Sequence, residues 1–115
     1  MHSIEPLTPA VFHILLSLVD GEKHGYGVMQ EVAARTGDAL IMGPGTLYGT
    51  LKRMLEAGLV EESGERPDPD LDDQRRRYYR ITRQGRQAAV REAERLEALV
   101  RAARAKSLLK RPQRA

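Results

Sequence analysis

The sequence contains no cysteine and no long apolar run. The absence of cysteine excludes disulfide bonds, thiolate metal sites and cysteine nucleophiles. No stretch approaches the ~20 apolar residues that a membrane-spanning helix needs. Residues 1–6 also lack the charged and apolar regions of a signal peptide. We therefore expect a soluble, cytoplasmic protein with no membrane partner.

Residue combinations typical of enzymes and metal sites are missing as well. Ser17 and Ser63 have no positioned histidine or lysine, and the glycines at 43–45 are not followed by a phosphate-binding Lys-Ser/Thr pair. The acidic cluster at 65–73 is a hydrophilic segment and not a buried pair of carboxyl groups. The histidines at 2, 13 and 24 lack the spacing of paired ligands. We expect no catalysis, no metal and no cofactor.

Positive charge is concentrated in the second half of the chain. Residues 1–57 carry four basic and six acidic side chains, whereas residues 58–115 carry fifteen and ten. Six arginines and no acid lie within residues 75–86. Such a local field attracts phosphate even when the net charge is only +3. On charge alone, the commoner explanation is an ordinary solvated basic surface.

Capping residues and hydrophobic periodicity predict four helices. The first begins at Thr8-Pro9 and stops at Asp20-Gly21, because threonine caps helices and proline favours their first turn. The second spans about 26–36, and the third follows Pro44 as far as Ala57. A long fourth helix starts at residues 82–85.

Two short strands separate the third helix from the fourth. Residues 59–62 and 77–81, the second with two tyrosines, are predicted to be short strands, and a polar segment of about a dozen residues joins them. Three helices, a two-stranded hairpin and a long helix form the winged-helix arrangement. We expect a mainly α fold with a small β-hairpin: a winged helix-turn-helix domain over 1–81, a dimerisation helix over 82–109 and a disordered basic tail over 110–115.

The fourth helix carries an apolar stripe that a small domain cannot cover along its whole length. A second copy of the chain is the simplest cover, so we expect a homodimer. The predicted interface consists of Ala89, Ala93, Leu96, Leu99, Val100 and Ala103.

Several motifs, in order, resemble the PadR family of transcription regulators. They are His-Gly-Tyr-Gly at 24–27, Pro-Gly-Thr-Leu-Tyr at 44–48, Leu-Lys-Arg-Met at 51–54, Glu-Ala-Gly-Leu-Val at 56–60 and Arg-Tyr-Tyr-Arg-Ile-Thr-Arg-Gln-Gly at 77–85. The resemblance implies a homodimer that binds double-stranded DNA at a palindromic operator, usually as a repressor. Some members release DNA when a small molecule binds. The short C-terminal segment is similar to members with a single C-terminal helix.

The sequence departs from the family pattern at a few positions. Gly43 replaces a frequent serine, which removes a side-chain cap from the third helix. Gly49 stands where proline commonly follows the tyrosine. The hairpin tip is acidic, which argues against a DNA contact there. The chain has no tryptophan, so it lacks the tryptophan-walled pore of some relatives that bind drugs.

The third helix and the hairpin supply most candidate DNA contacts. Threonine and tyrosine hydroxyls and the helix N-terminus suit phosphate, glycines allow close backbone approach, and lysine or arginine suits phosphate or guanine. We expect Thr46, Gly49, Thr50 and Arg53 to face away from the core. The predicted contacts are His24, Tyr26, Gly45, Thr46, Tyr48, Gly49, Lys52, Arg53, Arg75, Arg76 and Arg77.

Structural alternatives exist for several of these residues. Tyr48 and Tyr26 fit packing roles, and Lys52-Arg53 fits a solvated surface. Arg75, Arg76 and Arg77 fit internal pairs with the nearby Asp72 and Asp73.

Three functional hypotheses remain open. The first is a dimeric, sequence-specific repressor. The second adds a small apolar or aromatic effector, bound between the last helix and the first. The third is a winged-helix module that binds proteins and not DNA, although the outward basic residues of the third helix favour DNA.

Overall fold

The structure is a computed structural model that describes residues 5–65 and 77–110. The elements in chain order are α1 (Pro9–Leu18), β1 (Lys23–His24), α2 (Gly25–Arg35), α3 (Pro44–Glu56), β2 (Val60–Glu65), β3 (Arg77–Ile81) and α4 (Arg83–Ala105). The predicted mainly α fold with a small sheet is confirmed. Most predicted boundaries hold to within about two residues, although α4 ends four residues before the predicted 109.

Side-chain caps start the first and last helices, as the sequence predicts. The Thr8 hydroxyl accepts the Val11 N–H at 3.2 Å, and the Thr82 hydroxyl accepts the Gly85 N–H at 2.9 Å. Gly43 precedes α3 and offers no side-chain cap. The two threonines each satisfy a backbone donor that the helix itself leaves without a partner.

Helix α1 lies at the centre of the domain. It contacts α2, α3, α4 and β3, and Ile14 and Leu15 are completely buried. The apolar stripes of the other helices close over it, since each must remove its apolar face from water. The core residues contributed by the other helices are Val28, Val32, Leu47, Leu51, Met54, Ala88 and Ala89.

The sheet has three strands, where the sequence predicted two. Its order is β1-β3-β2, and both pairings are antiparallel. His24 precedes the predicted start of the second helix, and it pairs with Tyr78 across β1 and β3. A strand of two residues is too short to show an alternating pattern, so only its distant partner reveals it. A bulge between Glu62 and Gly64 interrupts the β2–β3 pairing.

The first half of α4 belongs to the core of the domain. Ala88, Ala89 and Glu92 are buried, and α4 contacts α1 and β3. The hydrophobic core of the domain therefore continues across the expected boundary at residue 82 into the first half of α4. Beyond Glu92 most residues of α4 are exposed. Neither α4 nor any other helix within 5–65 and 77–110 combines the length and hydropathy of a membrane span.

The segment before α1 is attached to α4. Leu7 is buried, and its N–H donates to Glu92 Oε1 at 3.2 Å. Arg91 donates through Nε and Nη2 to both oxygens of Glu5, at 2.8 and 2.9 Å. Glu92 also pairs with Arg95. The contacts made by Leu7 and Glu5 connect residues more than eighty positions apart in the chain.

Candidate nucleic-acid interface

Helix α3 has one face in the core and one face in solvent. Leu47, Leu51 and Met54 are buried, whereas Thr46 and Arg53 are exposed. The exposed positions lie on the side that the periodicity predicted. Lys52 is exposed beside them. The helix therefore presents hydroxyl and basic groups outward while its leucines hold it to the domain.

Thr50 corrects the expected faces of α3. It was expected to point away from the core, but it is only 3% exposed, and its hydroxyl donates to the Thr46 carbonyl at 2.7 Å. Residue 50 lies three positions after Leu47 and four before Met54, so it belongs to their stripe. The backbone hydrogen bond satisfies the buried hydroxyl. Thr50 also accepts a hydrogen bond from Arg53 Nη2 at 3.3 Å.

Two glycines leave the backbone of α3 open on its outer side. A Cβ atom built at Gly45 or Gly49 would meet nothing within 4 Å beyond the neighbouring backbone of α3 itself. No side chain caps the first turn, so the N-terminal N–H groups and the helix dipole face outward from Gly43. This combination suits the close approach of an anionic group to the helix.

Tyr48 occupies a packing position and not an outward one. Its hydroxyl oxygen is buried, and a Cβ atom at Gly25 would lie 2.6 Å from it. The ring therefore presses α3 against the first residue of α2, which must be glycine for this contact. The expected hydroxyl contact with phosphate does not match this placement. The packing alternative does, because the pattern of α3 alone does not show how close α2 comes.

His24 caps α2 and belongs to an aromatic cluster. Its Nδ1 atom accepts the Gly27 N–H at 2.9 Å, so Nδ1 carries no proton in this arrangement. The ring contacts Tyr78 edge-to-face, with centroids 5.5 Å apart, and stacks against Tyr26 at 6.4 Å. Tyr26 is exposed. Sequence analysis missed Tyr78 as a neighbour of this site, since β1 alone brings it there.

Arg77, the predicted hairpin contact within the described residues, lies beside a carboxylate. Arg77 Nη1 lies 3.6 Å from Glu62 Oε1, and both side chains are about half exposed. This pairing is with β2, whereas Asp72 and Asp73, the partners considered from the sequence, lie outside the described residues. Arg75 and Arg76, also predicted as DNA contacts, lie outside the described residues too.

The architecture and motifs agree with one family of regulators. Residues 14–91 match the transcriptional regulator PadR-like family, which is more than half of the chain. The chain belongs to this family. No curated protein matches the chain in sequence.

Solved structures support the fold of this PadR-family protein. A PadR family transcription regulator from Clostridium difficile aligns with a TM-score of 0.68 and 20% identity, over 84% of this chain and 96% of that one. A putative transcriptional regulator from Thermoplasma acidophilum gives 0.67 and 27%, over 90% and 93%. A PadR-like transcriptional regulator from Bacillus cereus gives 0.66 and 20%, over 89% and 92%. The likeness extends over nearly the full length of each.

The predicted dimer stripe of this PadR-family chain is exposed or half-buried except at its start. Leu99 is 55% and Val100 37% exposed, Ala93 is exposed, and Leu96 and Ala103 are half-buried. Ala89 is a correction, because it is only 7% exposed and packs in the core of its own domain. It has almost no surface left for a partner. Most of the stripe lies beyond residue 91, where the family match ends.

Proposed function

We propose that this PadR-family protein is a sequence-specific DNA-binding repressor that acts as a homodimer on a palindromic operator. The observation that carries the proposal is the outer face of α3. It combines exposed Thr46 and Arg53 with two glycines whose Cβ positions are open. A helix of this kind, held at its back by leucines, suits insertion into the major groove.

The residues of α3 have different roles in the proposed DNA contact. Thr46 and the free N–H groups of the first turn bind phosphate, which fixes the position of the helix on the duplex. Gly45 and Gly49 allow the backbone to approach the DNA. Arg53 and Lys52 reach base edges or phosphates. Tyr48 supports this surface from behind by holding α3 to α2.

The dimer part of the proposal rests on α4. Its second half projects beyond the core and exposes Leu99 and Val100, which a second copy would cover. A two-fold dimer places two copies of α3 on two half-sites, which is why the operator would be palindromic. The proposal also includes a cytoplasmic location, because a DNA-binding regulator acts in the compartment that contains the chromosome.

Release by an effector is a further part of the proposal. A small apolar or aromatic molecule would enter between α1 and α4, where Val11, Ile14 and Ala88 are buried. In the described residues these side chains belong to one packed core, so a bound molecule would have to separate the two helices. Moving α4 would change the spacing of the two DNA-binding helices in a dimer.

Fluorescence anisotropy tests the proposal with DNA from upstream of the protein's own gene and unrelated DNA as competitor. We expect two chains per site, preference over the competitor and affinity that falls steeply with salt. Equal weak binding to both DNAs would contradict sequence recognition at this promoter. No binding at low salt would overturn the DNA proposal and favour a protein-binding module.

Replacement of Arg53 by alanine tests the outer face of α3 directly. We expect Arg53→Ala to lose ~1–3 kcal/mol of affinity for the operator if the guanidinium contacts a base. Arg101→Ala is a matched control, because Arg101 is exposed on the second half of α4 and pairs with Glu97. Equal affinities for the two variants would remove Arg53 from the interface.

A further inference from the structure

The arginines of β3 face the glutamates of β2 in the hairpin, so the positive charge on β3 is partly balanced. Strand β3 carries two arginines, but β2 carries three glutamates along Val60–Glu65. We infer that Glu61 and Glu62 lower the affinity of the hairpin for DNA phosphate by occupying Arg80 and Arg77. The inference rests on the proposed function and identifies residues that limit binding to DNA of any sequence.

Both arginines are held across the two strands. Arg80 Nε donates to Glu61 Oε1 at 2.7 Å, and these two residues are directly opposite each other in the sheet. Arg77 Nη1 lies 3.6 Å from Glu62 Oε1. Glu62 is opposite Tyr79, so the second pair is diagonal.

The two pairs lie on opposite faces of the hairpin. Successive side chains of a strand alternate between faces, so Arg77 shares a face with the buried Tyr79 while Arg80 points the other way. Each glutamate lies on the same face as its arginine. Whichever face of the hairpin meets DNA, its arginine therefore arrives with a carboxylate beside it.

The two ion pairs are weak enough to reduce the affinity of the hairpin for DNA phosphate without abolishing it. All four side chains are about half exposed, and exposed ion pairs contribute little to stability, so a phosphate can take over either arginine. The displaced carboxylate then remains close to the phosphate and repels it. Phosphate contacts carry no sequence information, so the repulsion weakens binding to every duplex.

The double variant Glu61→Gln/Glu62→Gln tests the inference. Glutamine keeps the size and hydrogen-bonding oxygen but removes both negative charges. We expect about 3- to 10-fold tighter binding at low salt to an unrelated duplex and to the upstream DNA. The slope of log K against log salt should steepen by up to about 0.9, which corresponds to one more phosphate contact, because one face of the hairpin meets the duplex.

A charge-matched control separates a local effect from a general one. Glu94→Gln/Glu97→Gln makes the same change in net charge on α4, where both residues are exposed and Glu97 pairs with Arg101. We expect this variant to bind like wild type. Thermal unfolding of each protein checks that the fold is retained. The single variant Glu61→Gln is measured in the same way.

The possible results distinguish this inference from the proposed function. Equal shifts in the two double variants, or no shift in either, would overturn the inference while wild-type preference for the operator preserves the proposed function. Tighter binding by the hairpin variant without preference for any duplex would support the inference and contradict sequence recognition. No binding by any of the three proteins would overturn both.

Discussion

At the residue scale, glycine has opposite roles at positions 85 and 49. A Cβ atom at Gly85 would fall on the backbone carbonyl of Leu59, the residue directly before β2. A Cβ atom at Gly49 would meet nothing within 4 Å beyond the neighbouring backbone of α3 itself. Gly85 is therefore required by the fold itself, whereas the fold does not require Gly49.

We expect the two alanine substitutions to separate folding from binding. Gly49→Ala should leave the protein as stable as wild type or more stable by up to about 1 kcal/mol, because alanine favours helix over glycine. It should still weaken binding to the operator, because a methyl group then stands between the helix backbone and DNA. Gly85→Ala should lower the unfolding temperature strongly and lose binding with the fold.

Thermal unfolding and fluorescence anisotropy on both variants provide the measurement. Unchanged operator affinity in Gly49→Ala would contradict a close approach of the α3 backbone at this position. A Gly85→Ala protein with wild-type stability would show that the contact with Leu59 relaxes without cost.

At the element scale, α4 has two halves with different environments. Ala88, Ala89 and Glu92 of the first half are buried in the domain, while Leu99 and Val100 of the second half are exposed. A helix that projects an apolar stripe into water is stabilised when another surface covers that stripe. The second half is therefore the part of the chain on which we expect the proposed dimer to depend.

We expect Leu96→Glu/Val100→Glu to convert the proposed dimer into a monomer that still folds. The two positions lie on the predicted stripe beyond the buried half of α4, so two charges there oppose contact with a second copy. Sedimentation velocity measures the change. The control Ala98→Glu/Ala102→Glu places the same charges at exposed positions on other sides of α4 and should remain dimeric. A first variant that sediments as a dimer would show that the interface lies elsewhere.

At the scale of the whole molecule, ionisable groups connect distant parts of the chain. The hydrogen bond from Arg91 holds the pKa of Glu5 below its ordinary value, and the bond from Arg95 does the same for the pKa of Glu92. Burial, followed by the nearby charge of Arg35, lowers the pKa of His13. His13 lies on α1 and Arg35 on α2, with their ring and guanidinium nitrogens 3.1 Å apart.

We expect acidification to destabilise the protein in two windows of pH. The unfolded chain binds a proton at His13 more readily than the fold does, so stability falls as pH drops below about 6.5, the ordinary histidine value. The carboxylates of Glu5 and Glu92 contribute stability that is fully present above their ordinary pKa, near 4.3. That contribution is lost as pH falls through their lowered values.

Unfolding temperatures measured from about pH 7 to pH 3 check this expectation. His13→Gln should flatten the upper window, and Glu92→Gln should reduce the lower one. An unfolding temperature that rises between neutral pH and pH 5 would contradict the direction derived for His13.

The sequence by itself determined the helices, the hairpin and the family. The caps at Thr8 and Thr82 and the periodic leucines of α3 act over a few neighbouring residues, so a linear pattern shows them. The outward placement of Thr46 and Arg53 follows from the same periodicity. These features were predictable because the forces that produce them are local.

Only the tertiary structure decided which of the predicted contact residues have side chains that are neither buried nor paired within the domain. Tyr48 is held by Gly25 and Ala89 is covered by its own domain. His24 gains Tyr78 as a neighbour, and Arg77 gains a carboxylate from β2. Each of these outcomes depends on a partner contributed by another element. Burial and ion pairing are set by packing between elements, and a local pattern of residue types does not determine that packing.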